Sequence, residues 1–322
     1  MSIKEISNKT DEYDTSKLEL EISGSNINYA FINSLRKMCI NQVPIYAFHA
    51  STINITKNTS IYDNTYMKER LSQLPIRHLN HNINILPLKY YKNINFGSNY
   101  VKHPDDKYQI EYYVKIKNDG PENILNVTTN DLIMTINNEV VSNKEKNPIL
   151  LIQLKIGEEF ECSMKGVLGI GELESIFNSA HSYYKEIDPN KYLLTVITSG
   201  QLTNYDILAR SCLILIEKLK VIKEGVNNEQ YNKLITEENS VILELINEDH
   251  TCGGIINYIL QNKKNVIYSG VTKQNFMQKN ILLKIKTDKT TTPIKALVEA
   301  IDDCINDIVT FSKEIDKRSK SK

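Results

Sequence analysis

Four sets of residues in this chain have types and spacings that do chemistry. Glu248, Asp249, His250 and Thr251 follow one another as acid, acid, base and hydroxyl, the groups used in general acid-base work. That work needs a nucleophile and an apolar cleft beside them, whereas the amphipathic run that follows needs only a cap, a role that falls to Thr251. Gly166 to Gly171 reads GVLGIG, but no lysine followed by serine or threonine completes a phosphate-binding loop, and a plain turn is the simpler reading. Cys162, with His78, His81 and His103, offers thiolate and imidazole. Tetrahedral ligation needs four converging donors, and Cys162 is the only cysteine between residues 52 and 188. No metal, cofactor or catalytic residue is therefore expected. The fourth set is basic: Arg36 and Lys37 lie on a polar helix face, and a guanidinium there can pair with a carboxylate or a carbonyl.

The bulk composition narrows the classes further. A chain of 322 residues with 41% hydrophobic content has ample core for two or three domains. Lys plus Arg and Asp plus Glu balance at 39 each, so no global field draws the chain to nucleic acid. The five cysteines, Cys39, Cys162, Cys212, Cys252 and Cys304, are scattered singly, which fits small apolar side chains in a reducing compartment. No leader-like start is expected, and no apolar run approaches the ~20 residues that cross a bilayer.

The elements that hold these residues repeat. Residues 1–16 are polar and expected to be flexible, and Leu18 to Ile22 is a strand. Ile27, Phe31, Leu35, Met38 and Cys39 then recur at helical spacing, with Ser23, Gly24 and Ser25 before that helix and Pro44 beyond it. Leu243 to Leu260, LELINEDHTCGGIINYIL, repeats the order strand, turn, helix, with Ile255 and Ile259 on the apolar side. A second pair repeats 89 residues apart: Tyr192 to Thr198 matches Ile281 to Thr287, and each strand precedes a long helix. Leu208, Cys212, Leu215 and Leu219 stripe the first long helix; Leu297, Ile301, Cys304 and Ile308 stripe the second at the same offsets. Each stripe is worth roughly 6 to 12 kcal/mol gross if buried, so it needs a partner, and the other copy is the simplest one. The fold expected is α+β: an intramolecular pseudodimer whose interface includes Phe31, Leu35, Met38, Ile255, Ile259 and the two long stripes. Its first unit (17–51 and 189–223) is interrupted by a strand-rich insert at 52–188, with strands at Tyr108 to Lys117, Leu132 to Ile136 and Ile149 to Lys155. A polar linker at 224–239 leads to the second unit at 240–316.

One stretch carries a family resemblance. Leu35, Arg36 and Lys37 in a helix lead to Val43 and Pro44, an aliphatic strand, then Asn58, Thr59 and Ser60, the acidic helix start Asp63, and finally Arg70, Leu71, Leu74, Pro75 and Ile76. This order resembles the alpha-like subunits of multisubunit RNA polymerases, the archaeal D subunit and the third-largest subunit of polymerase II above all. Glu248 to Thr251 with its helix resembles the start of the eleventh subunit of polymerase II and the archaeal L subunit. A fusion of the two is similar to the arrangement in large cytoplasmic DNA viruses. The resemblance implies a non-catalytic assembly platform for a DNA-directed RNA polymerase, with the two large subunits and other small subunits as partners. It places Arg36 and Lys37 on the side that receives the second-largest subunit. Lys37 departs from the second arginine of many relatives, and a bidentate contact there is lost. Host cytoplasm or virion is the location it implies. The absence of a DFDGD-like acid cluster is consistent with catalysis residing in the partners. Two readings compete: a free-standing α+β enzyme or nucleotide-binding protein, which would need a pocket with perturbed ionisable groups, and a DNA-binding module, which would need a basic stripe. No homodimer, membrane or sequence-specific DNA contact is expected.

Overall fold

The computed structural model describes residues 1–319 apart from 12–14, 78, 80–82, 84, 88, 89, 92, 93, 97–99, 122, 143, 274–276 and 278. His78 and His81 lie outside the described residues. The chain opens with strand β1 (Ser2–Thr10), antiparallel to β2 (Ser16–Ser23), which feeds helix α1 (Tyr29–Asn41). Leu18, Leu20 and Ile22 alternate inward along β2 and are fully buried, the period of two that a half-covered strand requires. Asn28 caps α1 by accepting from the Phe31 N–H.

Between α1 and residue 180 the chain forms β3 (Ile45–Ala47), β4 (Ile53–Asn58), α2 (Asn64–Ser72), β5 (Ile110–Lys117), β6 (Ile124–Thr128), β7 (Ile133–Ile136), β8 (Glu139–Val141), β9 (Leu150–Lys155) and β10 (Glu159–Gly169). The long β10 is the spine of this region: β5 pairs along it, and β3 and β4 share its other edge. Strands β6 and β9 form a separate ribbon. The polar turn before α2 is held locally. Asn58 Oδ1 accepts from the N–H and hydroxyl of Ser60, and Asp63 caps α2 through the Thr65 and Tyr66 N–H groups. Arg70, at the end of α2, donates to the Leu150 carbonyl at 2.9 Å.

The chain then returns through β11 (Ala180–Asp188) and β12 (Lys191–Thr198) into α3 (Asn204–Asn227), completing a sheet of order β1-β2-β12-β11. The remaining strands, β13 (Asn232–Glu237), β14 (Ser240–Ile246), β15 (Val266–Thr272) and β16 (Asn280–Thr287), form a sheet of order β13-β14-β16-β15. Helix α4 (His250–Gln261) follows β14, and α5 (Pro293–Ser319) follows β16. The two units thus match strand for strand and helix for helix.

Five expectations are corrected. Within the lead at 1–16 expected to be flexible, Ser2–Thr10 forms β1, and residues 12–14 lie outside the described residues. β1 is an edge strand whose only apolar side chains are Ile3 and Ile6, with Ile6 at a register shift, so its period is hard to see. The linker at 224–239 is structured. Ile222 and Val226 prolong the buried stripe of α3, and β13 pairs with β14 around Asn239, which takes the left-handed φ of 59° that asparagine tolerates. The boundary at 188 moves back, because β11 belongs to the first unit's sheet. Gly166 to Gly169 lies in β10 rather than in a turn, and a Cβ at Gly169 would meet the Phe177 ring at 2.7 Å, so glycine serves close approach there. The cap of α4 is Asp249, not Thr251; its carboxylate accepts from the Thr251 N–H at 2.7 Å.

Candidate assembly interface

The four helices of the two units meet in one seam. α3 packs on α5, α1 on α4, and α1 and α4 also touch the long helix of their own unit. Every expected interface residue lies on these helices, and Phe31, Leu35, Leu208, Cys212, Leu215, Leu219, Leu297, Ile301, Cys304 and Ile308 are fully buried or nearly so. Met38 and Ile255 are also buried, while Ile259 is half-buried against the core. Two ring contacts cross the seam. Phe31 meets Phe311 edge to face with centroids 5.7 Å apart, and Tyr29 meets Tyr258 in the same way at 5.7 Å.

Polar groups pin the same seam. The Ser34 hydroxyl donates to the Thr251 carbonyl at 2.9 Å, and Asn26 donates to Asp307 at 2.8 Å. Lys223 forms two short contacts with Asp302, at 2.6 and 2.8 Å. Arg318, near the end of α5, donates to the Ile3 carbonyl of β1. The cysteines are packed as apolar groups. Burial pushes the thiols of Cys39 and Cys162 up to about 12, and those of Cys212 and Cys252 well above their ordinary value.

The two basic residues singled out in the sequence are separated in role. Arg36 is half-buried, and its guanidinium donates twice to Asn33 on the same helix, at 3.1 and 3.0 Å. Lys37 reaches across the seam to within 3.9 Å of Asp249, the cap of α4. Cys162 lies on β10, and His103 stacks edge-on against Tyr90. Among the described residues no three histidine, cysteine, aspartate or glutamate side chains cluster as metal ligands would.

Sequence reasoning missed Gln201, Arg77 and Glu145. Gln201 accepts from the Tyr46 N–H and donates to the Tyr46 and Ile76 carbonyls, tying β3 and the chain after α2 to the loop before α3. Arg77 pairs with Glu145 at 3.1 Å, both side chains being 9% exposed. No local motif marks these residues, because their partners lie 68 to 155 positions away.

A helix-to-helix pairing of two such α+β units is the architecture of a dimerisation module. Comparison with known proteins agrees with this class. The RNA polymerase Rpb3/Rpb11 dimerisation domain matches residues 19–219 and, in a second form, residues 240–314. The chain belongs to the RNA polymerase Rpb3/Rpb11 dimerisation family. It is 27% identical over 325 aligned residues to a protein of Acanthamoeba polyphaga mimivirus that carries the name of a DNA directed RNA polymerase subunit, covering 93% of this chain and 89% of that one. It is 32% identical over 82 residues to a Caenorhabditis elegans protein named for RNA polymerase II subunit RPB11, covering 26% of this chain and 67% of that one. It is 39% identical over 67 residues to RNA polymerase subunit Rpo11 of Metallosphaera sedula, covering 21% of this chain and 74% of that one. The chain is thus a fused alpha-like polymerase subunit of the kind found in a large DNA virus.

Proposed function

We propose that this chain is the non-catalytic assembly platform of a multisubunit DNA-directed RNA polymerase. The observation that supports this best is the internal duplication: two matching units of four strands and two helices bury their helices against each other within one chain. The first unit carries the strand-rich region as a separate insert domain, and the second carries none. The resulting base has two unlike faces, each suited to a different large subunit. Arg36 and Lys37 lie on the side assigned to the second-largest subunit. Its other partners are the largest subunit and further small subunits, in host cytoplasm or virion. Asp249, the second acid of the acid-base reading, is engaged as a helix cap.

The test is to purify a tagged copy of the chain from the cells in which it is made and to identify what accompanies it. Both large subunits are expected in equal amounts with it, and the isolated chain is expected to bind neither nucleotide nor duplex DNA at physiological salt. Recovery of the chain alone, together with nucleotide binding, would support a free-standing enzyme instead.

A further inference from the structure

Two openings flank the helical seam, and the internal duplication makes them equivalents. Lys37 and Gln42 line the first; Tyr258 and Lys263, 221 positions further on, line the second. Lys218 of α3 overlooks the first, and Asp307 of α5, 89 positions further on, overlooks the second. Equivalent backbone positions therefore carry different charge. The first opening, a cavity of about 180 Å³, brings together Lys37, Lys218, Lys273 and Lys279 with Glu172, Glu248 and Asp249. The second holds Asp303 and Asp307 with Lys263 alone, and Asp303 already binds that lysine at 2.7 Å.

The first opening has hydrogen-bonding capacity left over on both sides. Lys218 Nζ stands 3.7 Å from Glu248 and Lys37 Nζ 3.9 Å from Asp249, beyond hydrogen-bond distance, so each ammonium keeps donors to give. Lys273 has no carboxylate within ion-pair distance among the described residues. Burial pulls the pKa of Lys218 down, yet Glu248 and the neighbouring acids hold it above the ordinary lysine value. An acceptor is also left over. Gln42, only 6% exposed, donates through Nε2 to Glu172 at 2.7 Å while its Oε1 meets no donor.

We propose that this opening seats a carboxylate-bearing polypeptide segment of the large polymerase subunit that docks on this side. The inference rests on the assembly reading and adds the chemistry of the contact. The segment's carboxylate takes the spare donors of Lys37, Lys218 and Lys273, and a backbone N–H of the same segment supplies Gln42 Oε1. Phosphate fits less well, because at neutral pH it brings mainly acceptors to a site that already holds three carboxylates and an unpaired amide oxygen. At the second opening Asp303 and Asp307 repel an acidic segment, which adds a charge preference to the asymmetry that the strand-rich region already gives the two sides.

The experiment measures binding of the purified second-largest subunit to the full chain and to two variants. Lys273→Glu combined with Lys279→Glu changes accessible side chains and should preserve the circular dichroism of the parent. It should weaken binding by about tenfold or more, as reversing charges across an interface does. Asp303→Asn, at the second opening and outside the seam contacts, should leave that binding unchanged. If the parent chain does not bind the second-largest subunit, the assembly reading itself is overturned, and this inference with it. If the parent binds and the double variant binds equally well, the opening is not the socket and only this inference is overturned. Displacement of the subunit by inorganic phosphate but not by chloride at equal ionic strength would assign an anion site and overturn the peptide reading.

Discussion

Phe31 and Phe311 meet across the seam with both side chains sealed from solvent, so their contact reports on the union of the two units. Phe311→Ala should cost about 3–5 kcal/mol of unfolding free energy in denaturant titration, and a double-mutant cycle with Phe31→Ala should return a coupling of roughly 0.5–1.5 kcal/mol. A coupling near zero would place the rings in separate cores. Gly169→Ala should cost about 1–3 kcal/mol by the same measurement, because its methyl group would press on the fully buried Phe177 ring. For Arg36→Ala combined with Lys37→Ala, weaker co-purification of the second-largest subunit with unchanged folding is expected; full recovery would remove both residues from that contact. Single residues of the seam were legible from helical spacing, as Leu215 and Ile301 illustrate. Gln42, Lys218 and Lys273 were not, since only the packing of one unit on the other gathers them.

At the scale of elements, the central strands β12 and β16 and the helices after them stood out because burial on one face imposes a regular period. The edge strands β1 and β13 did not. Half of an edge strand's surroundings is solvent, so its apolar signal is thin, and the turn at Asn239 is a backbone feature that composition blurs. The start of α4 carries a pH dependence. Burial alone would raise the carboxyl pKa of Asp249, but its bonds to Thr251 and the charges of Lys37 and Lys218 hold it below the ordinary range. Glu172 is held low in the same sense by Gln42, Lys218 and Lys279 against the effect of burial. Groups depressed in the folded state contribute stability that is fully present above their unfolded pKa, roughly 4, and lost as pH falls through the folded value. Thermal unfolding followed by circular dichroism should therefore show a midpoint that drops on acidification through that range. The drop should be smaller in Asp249→Asn combined with Glu172→Gln.

For the whole molecule, the covalent connection between α3 and β13 replaces an encounter of two chains by an effective concentration of roughly millimolar. It also fixes which unit carries the strand-rich region, so the base has a defined handedness before any partner arrives. The duplication was legible as two repeated pairs of elements in the sequence, whereas the unlike charge of the two openings was visible only once the units were packed. The most direct test is to place a protease site in the short connection at residues 228–230 and cut the folded chain there. The fragments should stay together as a single 1:1 species on sedimentation under native conditions, held by the packing of α1 and α3 on α4 and α5. Fragments that part without denaturant, each folded and monomeric, would contradict a seam built from those helices.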